Sequence, residues 1–344
     1  MTVSKNERES ACDDLPGPSQ DEESKDHRIS HERRRIIRFK SDDCKEMDLG
    51  SLLFICAPMV RYSKYPFRQL VYSYGCDLAY TPMIYAHCFL ASQKSRDVEF
   101  PSGDVDNPIV QFAANKPEDF ASAAELVFGR SRGIDLNCGC PKHDVRKDGF
   151  GSKLLDDPEL IWDIVRHTRA RISDPNFTVS TKIRIQYPIR KTVDLCQKLE
   201  HAGVSHIAIH GRTKDMRDHE KPDFDAIAAI KAAVGIPVYA NGGCKSYDDA
   251  LEIAQKTKVD GIMAANGILA NPAMFGGHIR TPSICIEDWL NLADTSNIPF
   301  DPFHRHLMFM LRPLLPKQKR IVFNDLKSIN EDKEFLLPYL YSCS

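Results

Sequence analysis

Eight short apolar segments, separated by stretches with helical periodicity, constrain the fold of this chain more than any other feature. They lie at 53–59, 77–83, 108–114, 133–139, 177–185, 206–212, 236–243 and 261–267. Nearly continuous apolar strands are typical of parallel sheets, because both faces of each strand are buried. Helix-like segments lie between them at 117–128, 158–172, 190–203 and 246–257. Eight strand–helix alternations predict a TIM barrel.

The region after the last apolar segment has a different pattern. From residue 285 onward no strand signal remains, and helical patterns lie at 303–315 and 319–329. The sequence therefore predicts an α/β fold, with a TIM barrel at 48–284 followed by a small helical domain at 285–344. The alternative is a doubly wound open sheet, but the GxGxxG pattern expected after its first strand is absent.

Residues 1–47 are rich in charged side chains and contain one aromatic residue, Phe39. Such a segment buries too little apolar surface to offset the entropy of ordering, so we predict that it is disordered. Within it, the basic run RRRIIRFK at 33–40 is either a nuclear or nucleic-acid signal or a solvated run of charge.

Cysteine usage and hydropathy indicate an intracellular protein. The 11 cysteines include no CxxC pair, and the first 47 residues lack the apolar core of a signal peptide. No apolar run approaches the ~20 residues that a membrane span needs. We expect a cytoplasmic protein, with the nucleus as the alternative, without membrane association and with no obligate protein partner.

Active sites of TIM barrels lie at the carboxyl ends of the strands, where this sequence places many polar residues. Gln111 and Lys182 are expected there without an obvious carboxylate partner. A flavin fits this pair, since glutamine can bond its pyrimidine edge and lysine can neutralise charge on the reduced ring. The glycine-rich turns at 241–243 and 265–267 precede helices and are either phosphate-binding loops or ordinary turns.

The motif NCGCP at 137–141 places two cysteines in a tight turn after a buried strand. A metal site would need further ligands at a fitting spacing, and none is evident, so we predict no metal. A disulfide between cysteines two positions apart would be strained. Inert packing and a reactive thiol both remain open from the residues alone.

The strand-end motifs together resemble those of the tRNA-dihydrouridine synthases. The motifs are APM at 57–59, QF at 111–112, NCGCP at 137–141, KIR at 182–184, HGR at 210–212 and NGG at 241–243. The resemblance runs in order from about residue 52 to 330. It is greatest to the dihydrouridine synthase 4-like branch, through CAPMVRYSK, YTPMI, DLCQK, LANPAMF and KRIVFN.

The resemblance implies an FMN enzyme that uses NADPH to reduce a uridine of tRNA, at the D-loop 20a or 20b sites that this branch suggests. It implies that Cys140 gives the proton to C5 of the base, and a thiol is mostly protonated near neutral pH. The implied FMN contacts are Pro58, Met59, Gln111, Lys182 and His210, with Asn241, Gly242, Gly243, Ala265 and Asn266 around the phosphate. The candidate substrate contacts are Asn137, Arg184 and Arg212.

One position departs from the family, which usually has arginine where this chain has Asn266. Loss of a charge-assisted bond to phosphate predicts weaker retention of FMN.

Binding of tRNA would depend on local basic residues, because the net charge of −2 gives no general attraction for a polyanion. The helical domain and the barrel-mouth loops are the expected contacts. Their candidate cations are Arg61, Lys64, Arg96, Lys142, Arg146, Arg184, Arg190, Arg212, Arg217, Arg312, Lys317 and Arg320.

Two other functions remain open. One is a flavoenzyme that acts on a free pyrimidine, of the dihydroorotate or dihydropyrimidine type. The other is a tRNA-binding protein that has lost its activity.

Overall fold

A single parallel sheet forms the centre of the structure, a computed structural model that describes residues 51–296 and 298–340. The predictions for residues 1–47, including the basic run at 33–40, lie outside the described residues. The strands are β1 Leu53–Cys56, β2 Leu78–Ala79, β3 Ile84–Tyr85, β4 Ile109–Ala113, β5 Gly133–Cys138, β6 Thr178–Arg184, β7 His206–His210, β8 Val238–Asn241 and β9 Gly261–Ala264.

The sheet closes on itself into a barrel. Its strand order is β2-β1-β9-β8-β7-β6-β5-β4-β3, and every pair is parallel. Between β2 and β3, Tyr80 forms a parallel bridge to Ile109, and the Thr81 amide donates to the Ile109 carbonyl at 3.0 Å. The segments β2 and β3 thus occupy one strand position. The predicted eight-position TIM barrel is confirmed.

Helices on the outside of the barrel follow most strands. They are α1 Tyr65–Ser73, α2 Ala86–Ala91, α3 Gln93–Glu99, α4 Pro117–Val127, α5 His143–Lys147, α6 Pro158–Arg171, α7 Arg190–Ala202, α8 Phe224–Ala233, α9 Tyr247–Thr257 and α10 Asn266–Ala270. Side-chain caps begin four of them: Ser92, Asp157, Asp223 and Ser246 accept bonds from amides in the first turn. Gly203, with a φ of 95°, ends α7.

Four more helices follow the barrel: α11 Ser283–Ser296, α12 Phe300–Leu311, α13 Lys317–Asn324 and α14 Ile329–Leu340. They pack on α1, where the Phe67 ring stacks on His306 at 4.3 Å and meets Trp289 edge-on at 6.2 Å. The predicted helical character is confirmed, with helices α11 and α14 in addition to the two predicted patterns. The functional division at 284/285 stays a prediction. Among the described residues, no helix has the length and apolar character of a membrane span.

Candidate active site

The parallel strands bring the predicted site residues to one end of the barrel. Register places Asn137 beside Lys182, Arg184 beside His210, and His210 beside Asn241. The turn after β1 adds Pro58 and Met59 to the same end, and the turns after β8 and β9 add Gly242, Gly243, Ala265 and Asn266. The contacts to FMN and substrate predicted for these residues stay predictions.

A buried network of side chains surrounds Gln111. Its Nε2 donates to Asp135 Oδ2 at 2.8 Å, and its Oε1 accepts from Asn137 Nδ2 at 2.8 Å. Ser180 Oγ donates to the other oxygen of Asp135 at 2.7 Å. Burial raises the pKa of Asp135 to about 6, against the opposing effect of these hydrogen bonds. The network fixes the orientation of the Gln111 amide.

Asp135 and Ser180 are functional candidates that sequence reasoning missed. Both side chains are fully buried inside the barrel. The sequence does contain a signal for Asp135. It lies two positions before Asn137 in a strand, so the two side chains point to the same side. A carboxylate in an otherwise apolar strand requires a polar partner.

Lys182 lies at the mouth without a counter-ion. Its Nζ donates to Asn241 Oδ1 at 2.8 Å, and Asn241 Nδ2 donates in turn to the Met263 carbonyl at 2.9 Å. Burial, and then the positive charge of Arg184, lowers the pKa of Lys182 to about 8. No carboxylate among residues 51–296 and 298–340 forms an ion pair with it. A group that carries or develops negative charge would satisfy this ammonium.

The turn that carries Cys140 is held by several bonds. Asn137 Oδ1 accepts from the amides of Gly139 at 3.2 Å and Cys140 at 3.0 Å. The Ser152 amide donates to the Cys140 carbonyl at 2.9 Å, and Arg184 Nε donates to the Gly139 carbonyl at 2.8 Å. The backbone of Cys140 is therefore fixed by its own motif and by two neighbouring elements.

Close packing adds to this arrangement. Gly151 has a φ of 62°, and a Cβ there would lie 2.7 Å from the Cys140 carbonyl oxygen and 3.0 Å from the Cys140 Cβ. Cys140 is partly exposed, whereas Cys138 is buried in the apolar core, and both thiols are free. No three His, Cys, Asp or Glu residues of the described chain converge as a metal site.

The two arginines predicted to contact substrate make bonds within the protein. Besides its bond to Gly139, Arg184 donates through Nη1 to the Thr213 carbonyl at 3.0 Å. Arg212 donates through Nε to the Glu220 carbonyl at 2.6 Å and through Nη1 to His210 Nε2 at 3.1 Å. Both guanidinium groups therefore position neighbouring loops, and their contact with substrate stays a prediction.

His210 is neutral in this setting. A guanidinium only donates, so His210 Nε2 is the acceptor and the ring proton lies on Nδ1. Burial, followed by the charges of Lys182, Arg184 and Arg212, lowers the pKa of His210 to about 2.

The turns after β8 and β9 present backbone rather than side chains. Gly242 and Gly243 have φ values of 106° and 82°, and a Cβ on Gly242 would lie 2.8 Å from His210 Cδ2. A Cβ on Gly267 would lie 2.6 Å from the Cys244 carbonyl oxygen, so the two turns touch. The Asn266 side chain is exposed and bonds to no described residue. Glycines at these positions let the turn after β8 pack closely against His210 and against the turn after β9.

The loop after β1 is held by a second buried cluster. Arg68 is fully buried and pairs with Asp104 at 2.9 Å and Asp106 at 2.7 Å. Its Nη1 donates to the Ser63 carbonyl at 2.9 Å, and Ser63 Oγ accepts from the Met59 amide at 3.0 Å. The buried Arg68 cluster is therefore what holds Met59 at the mouth, and it too was missed from the sequence.

The rim cations divide into two groups. Lys64 pairs with Glu99, Arg190 with Asp194, and Arg96 donates to the carbonyls of Phe89 and Leu90. Within the described residues, the side chains of Arg61, Lys142, Arg312 and Lys317 have no hydrogen bond or ion pair. A cleft of about 400 Å³ lies beside the mouth, lined by Tyr62, Arg305, Met308, Phe309, Arg312, Lys317, Arg320, Ile321 and Asn324.

The fold and site define an enzyme of the TIM-barrel class, with its polar groups at the carboxyl ends of the strands. A family model described as dihydrouridine synthase matches residues 55–330. This chain belongs to the dihydrouridine synthase family, which confirms the resemblance of its strand-end motifs.

Individual relatives agree with the family model. An uncharacterized tRNA-dihydrouridine synthase-like protein of Caenorhabditis elegans is 53% identical over 269 residues, which cover 78% of this chain and 94% of that protein. A Homo sapiens protein named tRNA-dihydrouridine(20a/20b) synthase, NAD(P)+-like, is 46% identical over 298 residues, or 86% of this chain and 94% of its own. The names support the predicted branch.

A solved structure shares the fold. Histamine dehydrogenase from Rhizobium sp. 4-9 superposes with a TM-score of 0.50 at 13% identity, over 70% of this chain and 48% of its own.

Proposed function

We propose that this protein reduces a uridine of the tRNA D-loop, at position 20a or 20b, to 5,6-dihydrouridine, with FMN as cofactor and NADPH as reductant. Family membership and the names of the relatives support tRNA and NAD(P)H. The observation that carries the proposal is one barrel mouth that holds both Lys182, an ammonium without a counter-ion among the described residues, and Cys140, a thiol in a fixed turn.

The residues present fit a flavin. The Gln111 amide is fixed in orientation and Lys182 lacks a negative partner, as binding of a pyrimidine edge with developing charge requires. Gly242 and Gly243 adopt left-handed backbone conformations, and the phosphate would lie against the peptide groups of this turn. Bound FMN, reduced by NADPH, would supply the hydride for C6 of the uracil.

Cys140 completes the reduction. Its S–H bond breaks and the proton goes to C5, so the C5–C6 double bond takes up one hydride and one proton. The resulting thiolate recovers a proton from water. Asn137 and Arg184 hold the turn during this step through the Gly139 and Cys140 backbone.

The next question is whether the substrate is a uridine of tRNA or a free pyrimidine. The target uridine has to leave its stack to enter the mouth, which costs least in a flexible tRNA loop. A free pyrimidine would need no cationic rim, so unpaired Arg61 and Lys142 favour a polynucleotide. Cytoplasmic location, with the nucleus as the alternative, and function without an obligate protein partner stay predictions.

The test is incubation of the protein with FMN, NADPH and unmodified tRNA, followed by mass mapping of the tRNA fragments. We expect a gain of two hydrogens confined to the fragment with positions 20a and 20b. A tRNA with cytidine at both positions is the control and should gain nothing. Reduction of free uracil or orotate instead of tRNA would overturn the proposal in favour of a free-pyrimidine enzyme. Binding of tRNA without product, even with saturating FMN, would indicate a protein that has lost its activity.

A further inference from the structure

The turn at 57–64 between β1 and α1 contains a strained residue. Arg61 has a φ of 74°, in the left-handed region that residues with long side chains seldom occupy. Its side chain is exposed and forms no hydrogen bond or ion pair with any residue that the structure describes. Such backbone strain persists only where surrounding structure imposes it, and it is concentrated at functional sites.

The surroundings of Arg61 do impose this conformation. On one side the amides of Tyr62 and Ser63 both donate to the Met59 carbonyl at 3.0 Å, and the buried Arg68 donates to the Ser63 carbonyl at 2.9 Å. On the other side His306 Nε2 donates to the Tyr62 carbonyl at 3.1 Å. Both the barrel and helix α12 therefore fix the turn whose tip is Arg61.

Arg61, at the tip of the turn, lies between the barrel mouth and the cleft. Met59, two positions before Arg61, lies at the barrel mouth, and Tyr62, directly after it, lines the cleft against α12 and α13. The other cation of the turn, Lys64, is neutralised by Glu99. Arg61 is thus an unpaired guanidinium at the junction of the mouth and a cleft that contains Arg312 and Lys317.

We propose that Arg61 is a substrate-binding residue that contacts a backbone phosphate of tRNA next to the reacting uridine. The inference rests on the proposed function. Glycine would adopt this backbone without strain, so stability alone does not explain an arginine here. A guanidinium that extends from a fixed backbone can bond a phosphate through two parallel N–H groups and so set the register of the strand.

The chain provides a matched control in Lys258. This residue is also an exposed cation, with a φ of 57°, and its side chain has no partner in the described structure. It ends α9 and precedes β9, so it lies at the end of the barrel opposite the mouth. Arg61→Gly and Lys258→Gly each remove one positive charge and one strained backbone conformation.

The experiment measures the Kd for unmodified tRNA at several salt concentrations, together with Tm, for wild type and both variants. We expect Arg61→Gly to weaken binding about tenfold and to reduce the slope of log Kd against log salt by about 0.7–0.9. Its Tm should equal or exceed that of wild type. Lys258→Gly should show the same Tm change with unchanged Kd and slope. Arg61→Lys, which keeps the charge but not the planar fork, should fall between wild type and Arg61→Gly.

An unchanged Kd and slope for Arg61→Gly, or equal losses in both glycine variants, would overturn the inference. Failure of the proposed function looks different. In that case wild type binds tRNA without forming dihydrouridine, and the comparison of Kd values still tests Arg61.

Discussion

The two sides of the barrel mouth are built in different ways. On the side of β4, β5 and β6, side chains bond to side chains, as in the network of Gln111 with Asp135 and Asn137. On the side of β8 and β9, the turn after β8 contains Gly242 and Gly243 in left-handed conformations, and the Asn266 side chain after β9 bonds to no residue that the structure describes. One side fixes side-chain atoms in space, and the other exposes peptide groups.

The difference matches two separate tasks. Proton transfer requires a donor at a defined place, and the bonds of Asn137 and Arg184 to the Cys140 turn provide it. Anchoring of a phosphate requires N–H groups and room, which depend on backbone conformation. Substitutions in the Cys140 turn should therefore reduce turnover, whereas substitutions in the turns after β8 and β9 should change cofactor retention.

Removal of the proposed proton donor gives the largest expected effect. Cys140→Ala should lower tRNA reduction about 10²–10⁴-fold, the usual contribution of a positioned acid, while flavin binding stays intact. The measurement is single-turnover formation of dihydrouridine. The absorption spectrum of the flavin reports whether the cofactor is still bound. Cys88→Ala, at an exposed thiol on α2, is the matched control and should behave as wild type. Full activity of Cys140→Ala would remove the thiol from the reaction.

Displacement of the donor tests whether its position matters as well as its presence. Gly151→Ala places a Cβ 2.7 Å from the Cys140 carbonyl oxygen at a φ of 62°, so the turn must shift. We expect turnover on tRNA to fall about a hundredfold, together with a lower Tm. Gly103→Ala, where a Cβ meets nothing within 4 Å, is the control. Equal turnover in the two variants would show that the fixed turn is not required.

The turn after β9 is tested by restoring the arginine that the family usually has at position 266. Asn266→Arg should tighten FMN binding about tenfold or more, because a charge-assisted hydrogen bond contributes about 1.5–3 kcal/mol. The measurement is the Kd of FMN by quenching of flavin fluorescence. Asn266→Ala should bind FMN like wild type, since the Asn266 side chain has no bond to any residue described in the structure. Wild-type affinity in Asn266→Arg would contradict a phosphate site at this turn.

The smallest effect concerns the proton of Asp135. Burial raises its pKa to about 6 from an ordinary 3.8, so the unfolded chain loses this proton first as the pH rises. The free energy of unfolding should therefore decline between about pH 4 and 6 and level off above. Asp135→Asn cannot ionise, so this part of the decline, a few degrees in Tm, should disappear.

The measurement is Tm against pH for wild type and Asp135→Asn. Asp163→Asn, at an exposed position of α6, controls for loss of a surface charge. Parallel curves for wild type and Asp135→Asn would show that Asp135 is not the group whose titration changes the stability.

Sequence reasoning succeeded where the determinant is local. Each of the eight apolar segments contains a strand, and parallel order then brings their carboxyl ends together whatever the details of packing. The segment at 77–83 was predicted as one strand, but in the structure it contains only β2, and β3 begins just after it, with Pro82 between the two. Proline lacks the amide that a ladder needs, so pairing is interrupted there.

The missed features depend on tertiary register. Glu99 pairs with Lys64 and not with Arg61. It lies some 35 residues from Lys64, and no local pattern encodes that pairing. Likewise the predicted substrate residue Arg184 bonds carbonyls 45 and 29 residues distant. The sequence pattern of a cation at a strand end is the same whether its side chain faces solvent or a neighbouring loop.

The stacking of Phe67 against His306 and Trp289 has a consequence for how the molecule can be divided. A truncated chain that stops after the barrel would leave the Phe67 ring of α1 open to water and would release the Tyr62 carbonyl from its donor. We therefore expect the terminal helices to unfold together with the barrel in one cooperative transition. An excised barrel would be expected to aggregate or to lose the shape of its entrance.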